Sequence, residues 1–172
     1  MSPPETLPET VTSSRLRLVL ITPEDAAGML AGRRRVSWHP DYPRPQDQDA
    51  VVLVKDGDPD ATWGPRHITR SHDGLVVGSI GFYGAPQPQE DSEVEEAEIG
   101  FGLVADAHGH GVATEALQAL LSESDRVGVR VRASVRPEDR AGLKVLATCG
   151  FTQLRGADED GALVMVRPVP VG

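Results

Sequence analysis

Residues 97–104 read Ala-Glu-Ile-Gly-Phe-Gly-Leu-Val, and residues 105–117 continue as Ala-Asp-Ala-His-Gly-His-Gly-Val-Ala-Thr-Glu-Ala-Leu. The first run predicts a β-strand, and the second predicts a turn containing Gly109 and Gly111 followed by the start of a helix. Backbone N–H groups at a helix N-terminus lack intrahelical acceptors, and the helix dipole favours negative charge there. We therefore expect this segment to bind a phosphate or diphosphate group.

The length and composition of the chain fit a single cytoplasmic domain. Its 172 residues are enough to bury a core without metal ions or disulfides. Cys149 is the only cysteine, residues 1–9 are polar and proline-rich, and no apolar run is long enough to span a bilayer. The net charge of −9 argues against a broad nucleic-acid interface, and the resulting field attracts cations such as amines. Neither nucleic acid nor a membrane is therefore an expected partner.

The N-terminal part of the chain predicts a strand, a helix and then three adjacent strands. Thr22 is a candidate N-cap and Pro23 suits the first helical position, so a helix is expected to about Leu30. The Asp73-Gly74 pair favours a tight turn between antiparallel strands. The other expected elements are a strand at 16–20, a proline-rich surface loop at 39–47 with a short helix after it, strands at 67–70 and 75–82, a loop at 85–91, and the strand ending at 104.

Beyond the glycine turn, the sequence predicts a parallel crossover and a terminal hairpin. Apolar residues share one face of the helix that begins there, at positions 113, 116, 117, 120 and 121. The following strand, at 129–135, should run parallel to the strand before the turn. Gly150 suits a left-handed helix cap, with Phe151 packing back on Leu146. The remaining elements are a helix at 140–149 and strands at 152–155 and 162–167.

Two common phosphate-binding motifs fit the glycine turn poorly. A P-loop needs Lys followed by Ser or Thr after its second glycine, but Val112 and Ala113 follow Gly111. A dinucleotide fingerprint needs Gly or Ala where Thr114 stands, and it opens a series of parallel crossovers. Here the turn follows antiparallel strands, so the second motif is also disfavoured.

The order of elements and the motif around the turn resemble the GCN5-related N-acetyltransferase (GNAT) family, and most closely its ribosomal-protein N-acetyltransferase-like branch. That branch typically reads Glu-Ile-Gly-Tyr, a short spacer, and Gly-x-Gly-Tyr-Ala-Thr-Glu-Ala. This chain has Glu-Ile-Gly-Phe at 98–101 and Gly-His-Gly-Val-Ala-Thr-Glu-Ala at 109–116. The family signature Gln/Arg-x-x-Gly-x-Gly/Ala maps onto His108, Gly111 and Ala113, with His in place of Gln or Arg.

Two later segments extend this resemblance over nearly the whole chain. The family's Pro-Glu-Asn-x-x-Ser maps onto Pro-Glu-Asp-Arg-Ala-Gly at 137–142, and its Leu-Gly-Phe maps onto Cys-Gly-Phe at 149–151. The resemblance implies an α/β (α+β) GNAT fold, with a mixed, mostly antiparallel sheet of about six to seven strands and helices on both faces. The sheet would be splayed between its fourth and fifth strands. A single acetyltransferase domain at 13–172 would follow a flexible segment at 1–12.

The resemblance also implies acetyl-CoA as the cofactor. Its pantetheine arm would pair with the strand edge at Leu103 and Val104, and its diphosphate would bind the backbone amides from His108 to Thr114. The implied site residues are Leu103, Val104, His108, Gly109, His110, Gly111, Val112, Ala113, Thr114 and Asp139. Asp139 replaces the family's Asn, and a carboxylate cannot donate a hydrogen bond and repels phosphate.

Glu98 is the candidate catalytic residue. Acetyl transfer to an amine needs a base, because a free alkylammonium group has a pKa of about 10. On an alternating strand Glu98, Gly100 and Gly102 share one face, so the glycines are expected to leave open space beside the carboxylate. By composition alone, Glu98 fits equally well as a solvated member of the acidic run at 90–96, and the resemblance favours the catalytic or amine-binding role. Backbone N–H groups near Leu103 are the expected donors to the carbonyl oxygen.

Other chemistry-bearing side chains receive simpler interpretations. Leu146 and Gly142 stand where related enzymes carry a Tyr and a Ser that protonate the departing thiolate, so the existence of a side-chain acid stays open; a thiolate with a pKa of about 8.5 can also leave unprotonated or take a proton from water. Cys149 is expected to be a small core residue. His108 and His110 have no third ligand nearby in the sequence, so no metal site is expected.

The favoured function is acetyl-CoA-dependent transfer of an acetyl group to a primary amine by direct attack. The acceptor would be a protein N-terminal α-amine or a small-molecule amine. A non-catalytic acyl-CoA-binding module of the same fold is the alternative, and a binder of some other phosphate ligand is a third. The aromatic residues Trp38, Tyr42, Trp63 and Tyr83 are expected to pack more than to recognise a ligand. The sequence identifies neither the acceptor nor the oligomeric state, and a homodimer stays open.

Overall fold

The structure, a computed structural model, describes residues 6–90 and 92–170. Over these residues, nine strands form one sheet with four α-helices around it. The strands are β1 (Thr10–Thr12), β2 (Leu16–Leu20), β3 (Pro65–Arg70), β4 (Val76–Phe82), β5 (Gln87–Gln89), β6 (Ser92–Leu103), β7 (Arg130–Val135), β8 (Gln153–Ala157) and β9 (Leu163–Arg167). The helices are α1 (Pro23–Ala31), α2 (Pro45–Ala50), α3 (Val112–Arg126) and α4 (Arg140–Thr148), with 3-10 turns at Ala61–Trp63 and Ala105–Ala107.

The sheet is mixed and mostly antiparallel, as predicted. Its strand order is β1-β2-β3-β4-β6-β7-β9-β8, and β5 pairs with β6. The pair β6–β7 is parallel, and the other pairs within the described residues are antiparallel. Helix α3 connects the parallel pair, which is the crossover expected from the sequence. The short strands β1 and β5 bring the total above the six to seven strands expected.

Both extra strands lie where the sequence predicted irregular structure. Strand β1 pairs with β2, and Leu7 and Val11 are buried, so the sheet begins before residue 13, where we placed the domain boundary. Residues 1–5 of the predicted flexible segment lie outside the described residues. Strand β5 occupies part of the predicted loop at 85–91, and its Pro88 is tolerated because an edge strand does not need that N–H group. Asp91 of this loop also lies outside the described residues.

Helices cover both faces of the sheet, as predicted. Helix α3 packs on β2, β6 and β7, with α4 beside it, and it buries the predicted apolar residues Ala116, Leu117, Leu120 and Leu121. On the other face, Asp25 of α1 bonds His67 of β3 at 3.0 Å, and Asp47 of α2 accepts a hydrogen bond from Ser79 of β4. His67 and Ser79 are register partners, so α1 and α2 lie over the same face.

Local capping signals of the sequence are confirmed. The Thr22 hydroxyl accepts the backbone N–H of Asp25 at 3.0 Å at the start of α1. After α4, Gly150 has a φ of 92°, and the N–H of Phe151 donates to the carbonyl of Leu146 at 3.0 Å. These elements could be predicted because their signals lie within a few residues of one another.

The predicted surface loop at 39–47 is more buried than expected. Tyr42 is fully buried, and its hydroxyl bonds Nδ1 of His67 at 2.8 Å. The loop also contains the start of α2 at Pro45. Trp38 and Tyr42 form an edge-to-face pair with ring centroids 5.7 Å apart, because two large aromatic residues gain more by packing on β3 than by exposure. No helix in the described part of the chain combines the length and apolar character needed to cross a bilayer.

Candidate active site

A cleft of about 530 Å³ lies where β6 and β7 separate. Their register runs from Glu96 with Arg130 to Glu98 with Arg132. Beyond Glu98, within the described residues, the rest of β6 pairs with β4 and the rest of β7 pairs with β9. The end of β6, the loop before α3, the first turn of α3 and one side of α4 line the opening. The splay expected from the resemblance is therefore present between the two strands predicted to be the fourth and fifth.

Alternate residues of the open half of β6 direct their backbone groups into this cleft. The carbonyl of Glu98 accepts from the N–H of Tyr83 at 2.9 Å, and the N–H of Val104 donates to the carbonyl of Val77 at 2.8 Å. The backbone N–H and C=O groups of the even-numbered residues in this segment thus point to β4. Those of Phe101 and Leu103 point to the cleft. Such an edge can pair with an extended, amide-containing ligand as if with another strand.

The two residues predicted to pair with a cofactor arm differ in what they offer. Leu103 lines the cleft, and its carbonyl already accepts a hydrogen bond from Nε2 of His108 at 3.1 Å, so its N–H is the group left for a ligand. Val104 is buried, and because its N–H donates to Val77 this amide is not available to a cofactor. His108 thus contributes its ring to the strand edge in place of the expected Gln or Arg.

The glycine turn carries a row of backbone N–H groups that find no acceptor among the described residues. His108 donates to the carbonyl of Ala105 at 3.0 Å, but the amides of residues 109–114 have no acceptor in 6–90 or 92–170. Gly109 and Gly111 have φ values of 81° and 74°, and a Cβ on Gly109 would have no atom within 4 Å, so the space beside it is open. Helix α3 begins at Val112, with its dipole directed at the same space.

Most of the predicted cofactor residues line this cleft. They are Leu103, His108, Gly109, Gly111, Val112, Ala113, Thr114 and Asp139. His110 is exposed beside the cleft, and its carbonyl accepts from Nη1 of Arg15 at 2.9 Å. Arg15 also bonds Oε1 of Glu115 at 2.7 Å, so a residue of the β1–β2 turn supports the glycine turn from outside. This support could not be predicted from the sequence, because the partners are about 100 residues apart.

Helix α4 closes one side of the cleft and provides no hydroxyl at the two positions noted in the sequence. Asp139 caps α4, because its Oδ1 accepts the N–H of Gly142 at 2.9 Å. Gly142 lines the cleft, and Leu146 is buried in the core. Lys144 also lines the cleft and provides a positive charge there. Cys149 is buried, as predicted, and burial raises the pKa of its thiol.

Glu98 has a partner that the sequence did not indicate. Its Oε1 lies 3.2 Å from Nε of Arg132, and its side chain keeps 30 % of its exposure. The space above Gly100 and Gly102 is not open, contrary to our expectation. A Cβ on Gly100 would meet the phenol of Tyr83, and one on Gly102 would meet the guanidinium group of Arg44. The two glycines accommodate these side chains and do not leave an empty pocket.

Tyr83 lies beside Glu98 with its hydroxyl against the sheet. The residue as a whole is 65 % exposed, which differs from the expected packing role. Desolvation of the hydroxyl and the negative charge of Glu98 both raise the pKa of Tyr83, so the phenol is neutral at physiological pH. A neutral phenol next to a carboxylate can both donate and accept a hydrogen bond.

Arg44 lies at the junction of two cavities. It lines the large cleft together with Phe101 and Gly102, and it also lines a small cavity of about 70 Å³ with Tyr83 and Gly100. The small cavity shares Tyr83 with a wide groove of about 680 Å³ on the other side of it. The three spaces are thus neighbours, with Tyr83 between the groove and the small cavity and Arg44 between the small cavity and the cleft.

One cluster of potential metal ligands occurs among the described residues, at His39, Asp41 and Asp106. Nε2 of His39 lies 3.1 Å from Asp106, and its Nδ1 accepts the N–H of Asp41 at 3.0 Å. Both ring nitrogens are thus in protein hydrogen bonds, and a metal would have to displace one of them. This histidine connects the loop after β6 to the segment that carries Arg44.

The cleft fits a ligand that combines a diphosphate with an extended amide-bearing arm. The amides of residues 109–114 suit the diphosphate, and the open edge of β6 suits the arm. The sequence profile of the acetyltransferase (GNAT) domain matches residues 15–152. A search of curated proteins finds no match for this chain.

Many solved structures resemble this one. Three of them have sequence identities of 23 % or less to this chain. Ribosomal-protein-S5-alanine acetyltransferase from Vibrio fischeri superposes with a TM-score of 0.64 at 15 % identity, over 93 % of this chain and 96 % of its own. RimJ from Mycobacterium smegmatis, solved with CoA-disulfide, gives 0.55 at 23 % identity, over 95 % of this chain and 87 % of its own. The microcin C7 self-immunity acetyltransferase MccE, solved with acetyl-CoA and AMP, superposes with a TM-score of 0.63 at 14 % identity, over 91 % of this chain and 94 % of its own. These likenesses establish the shared fold.

Proposed function

The chain belongs to the GNAT acetyltransferase family, and from this premise we propose that it transfers the acetyl group of acetyl-CoA to a primary amine. Membership in the family makes it an acetyl-CoA-dependent acyltransferase. The acceptor and the roles of individual residues are the parts proposed here. The observation that carries the proposal is the cleft at the splay of β6 and β7, with the amides of residues 109–114 at one end and Arg44 and Phe101 at the other.

The proposed cofactor orientation follows from the position of these groups. The diphosphate binds the amides of Gly109–Thr114 at the N-terminus of α3, where glycine leaves room for close approach. The arm pairs with Phe101 and Leu103, and it reaches the far end of the cleft, near Arg44. When bound, acetyl-CoA supplies an activated thioester.

Glu98 is proposed to receive the proton that the acceptor amine loses, directly or through Tyr83. The nitrogen–carbon bond forms as the carbon–sulfur bond breaks, and the coenzyme leaves as a thiolate that takes a proton from water. Tyr83 lies between Glu98 and the small cavity, and its neutral phenol can pass a proton in either direction. The positions of Gly142 and Leu146 supply no side-chain acid, which supports departure as the thiolate.

The acceptor is proposed to enter from the wide groove beside Tyr83. The groove is lined by apolar residues such as Leu20, Leu53 and Phe82, and it shares Phe82 and Tyr83 with the small cavity. A protein N-terminal α-amine and a small-molecule amine both fit this route. The likeness to acetyltransferases of ribosomal proteins adds support for the first.

An assay of thiol release tests this function. The chain is incubated with acetyl-CoA and a panel of peptides and small primary amines, and free coenzyme A is followed with a thiol reagent. We expect turnover with at least one amine and formation of the corresponding amide by mass spectrometry. Calorimetric binding of acetyl-CoA without turnover for any acceptor would favour the non-catalytic module, and the absence of both would contradict the proposal.

One observation supports the alternative function, a non-catalytic module that binds acyl-CoA. It is the ion pair of Glu98 with Arg132. A carboxylate held by an arginine has one oxygen fewer to offer an amine. The same assay with Arg132→Gln distinguishes the two functions. A transferase should keep measurable turnover in this variant, since Glu98 remains, whereas the module should have none in either form.

A further inference from the structure

The guanidinium group of Arg44 is held over the part of β6 that faces the cleft. It lies on Gly102, where a Cβ would meet Cζ and both terminal nitrogens of the guanidinium. Glycine is thus required at this position for the arginine to approach the strand. The contact places a cation between Phe101 and Leu103, whose backbone groups open into the cleft.

A buried carboxylate fixes the orientation of this group. Nε and Nη2 of Arg44 donate to the two oxygens of Asp47 at 3.0 and 2.8 Å. The backbone N–H of Arg44 donates to the same carboxylate at 2.8 Å, and the hydroxyl of Ser79 donates to it as well. Asp47 has 0 % exposure, and its two oxygens hold the Nε and Nη2 side of the guanidinium in one orientation.

The second edge of the guanidinium remains available. Nη1 of Arg44 has no acceptor within residues 6–90 and 92–170, and the side chain keeps 23 % of its exposure. Because Asp47 offsets the charge of Arg44, this edge suits a carbonyl oxygen that becomes negative during a reaction better than a permanently charged group.

The position of Arg44 in the cleft decides which part of a ligand it meets. The diphosphate end of the cleft lies at residues 109–114, and Arg44 lies at the other end, where the small cavity begins. A thioester is at the end of coenzyme A distant from its diphosphate. We propose that Nη1 of Arg44 donates a hydrogen bond to the acyl carbonyl oxygen of the bound thioester, and that Asp47 and Ser79 position it for this contact.

This inference rests on the proposed function and adds a side-chain donor to the backbone N–H groups near Leu103. As the amine attacks, negative charge moves from the carbon–oxygen double bond to the oxygen, and Arg44 stabilises that charge without exchanging a proton. Arg44 is thus assigned a catalytic role, and Asp47 a positioning role.

The test compares binding of acetyl-CoA with binding of S-ethyl-CoA, a thioether that keeps the two carbons and lacks the carbonyl oxygen. Calorimetry gives the ratio of the two Kd values without any acceptor or turnover. We expect the wild-type chain to bind acetyl-CoA about tenfold more tightly than S-ethyl-CoA, as one charge-assisted hydrogen bond allows. In Arg44→Met this preference should fall at least about fivefold.

Two further variants keep the result interpretable. Arg44→Lys retains a cation for Asp47, so the fold is kept, but an ammonium group cannot present a second fixed edge, and the preference should fall as in Arg44→Met. Arg70→Met removes an arginine that pairs with an aspartate three residues later, as Arg44 does, and it should keep the wild-type preference.

An unchanged preference in both Arg44 variants would overturn the inference, as would a wild-type chain that binds the two ligands equally. Neither result would affect the proposed function, because acetyl-CoA would still bind. A wild-type chain that binds neither ligand would instead overturn the proposed function and the inference with it.

Discussion

The two halves of β6 belong to one continuous strand but have opposite surroundings. In the first half, Ser92–Glu98, the strand has β5 or β7 along its edges, and the side chain of Glu96 is buried among arginines. In the second half, residues 99–103, one edge pairs with β4 and the other opens into the cleft. The closed half stabilises the sheet, and the open half leaves backbone groups for a ligand.

Glu96 and Glu98 show how the surroundings change towards the end of the closed half, next to the cleft. Both side chains lie on the same face of β6, two positions apart. Glu96 is 1 % exposed and bonds Arg130, Arg132 and Arg155 at 2.7 to 2.8 Å. Glu98 has Arg132 as its partner and remains partly exposed. A carboxylate with three partners is structural, and one with a single partner can take part in chemistry.

The largest expected effect is the loss of stability in Glu96→Gln. The substitution keeps the volume but removes the buried counter-charge of three partly exposed arginines; because water screens these arginines, the cost should fall at the lower end of the range for a broken buried ion pair, about 3 kcal/mol. Urea unfolding followed by circular dichroism measures this change in the free energy of unfolding. The matched control is Glu95→Gln, the same substitution at an exposed neighbour. Equal stabilities of the two variants would contradict the structural role of Glu96.

The same carboxylate predicts how stability depends on pH. Burial alone would raise the pKa of Glu96, but hydrogen bonds from Arg155, Arg130 and Arg132 lower it to about 2, from an ordinary value of 4.5. Because the pKa is depressed in the folded state, this group stabilises the fold above pH 4.5 and loses that contribution as the pH falls towards about 2. The free energy of unfolding of the wild type should thus decline more steeply over this range than that of Glu96→Gln. Parallel pH profiles would contradict the assignment.

Glu98→Gln should instead reduce activity and leave stability nearly unchanged. Loss of the proton acceptor is expected to lower kcat about 100-fold, with little change in the KM for acetyl-CoA. Steady-state kinetics with the amine found in the thiol-release assay measure this, and Glu95→Gln again serves as the control. A kcat equal to the wild type from about pH 6 to 9 would remove Glu98 from the mechanism.

A smaller effect is expected from Gly109→Ala. Both Gly109 and Gly128 have a positive φ with open space beside them, so alanine at either position costs about 1 kcal/mol of stability. Only the change at Gly109 adds a Cβ where the diphosphate is expected, so it alone should weaken acetyl-CoA binding, by about tenfold. Calorimetry with the two variants separates the site effect from the backbone effect. Equal affinities in both would show that this turn does not bind the cofactor.

The smallest effect is expected from Arg15→Ala. Its ion pair with Glu115 is partly exposed, so the loss of stability should be about 0.5 kcal/mol. Because Arg15 also bonds the carbonyl of His110, acetyl-CoA binding should weaken about two- to threefold. Arg70→Ala, which breaks a surface pair away from the cleft, should cost similar stability without changing affinity. Weaker acetyl-CoA binding in Arg70→Ala, with unchanged binding in Arg15→Ala, would contradict the supporting role of Arg15.

The features that sequence predicted and those it missed differ in the range of their interactions. The glycine turn, the Thr22 cap and the Gly150 cap depend on neighbours in the chain, and all three occur where predicted. The cluster at Glu96 could not be predicted, because Arg155 lies 59 residues away and the acidic run around Glu96 is typical of a solvated surface.

The candidate site shows the same limit. The faces of β6 followed from its alternation, but the contents of the space above Gly100 and Gly102 did not. Tyr83 and Arg44 fill that space from other segments, and their placement depends on the sheet register and on the buried Asp47. Small residues on a strand predict close approach of something, without indicating whether it is a ligand or another part of the chain.

The most direct test of the account follows backbone amides by NMR while acetyl-CoA is added. We predict that the amide signals of residues 109–114, Phe101 and Leu103 shift together as the site saturates, while those of Ser92–Glu98 stay in place. Binding that shifts the signals of the closed half of β6, or that leaves residues 109–114 unchanged, would contradict the claim that the open half of this strand and the glycine turn hold the cofactor.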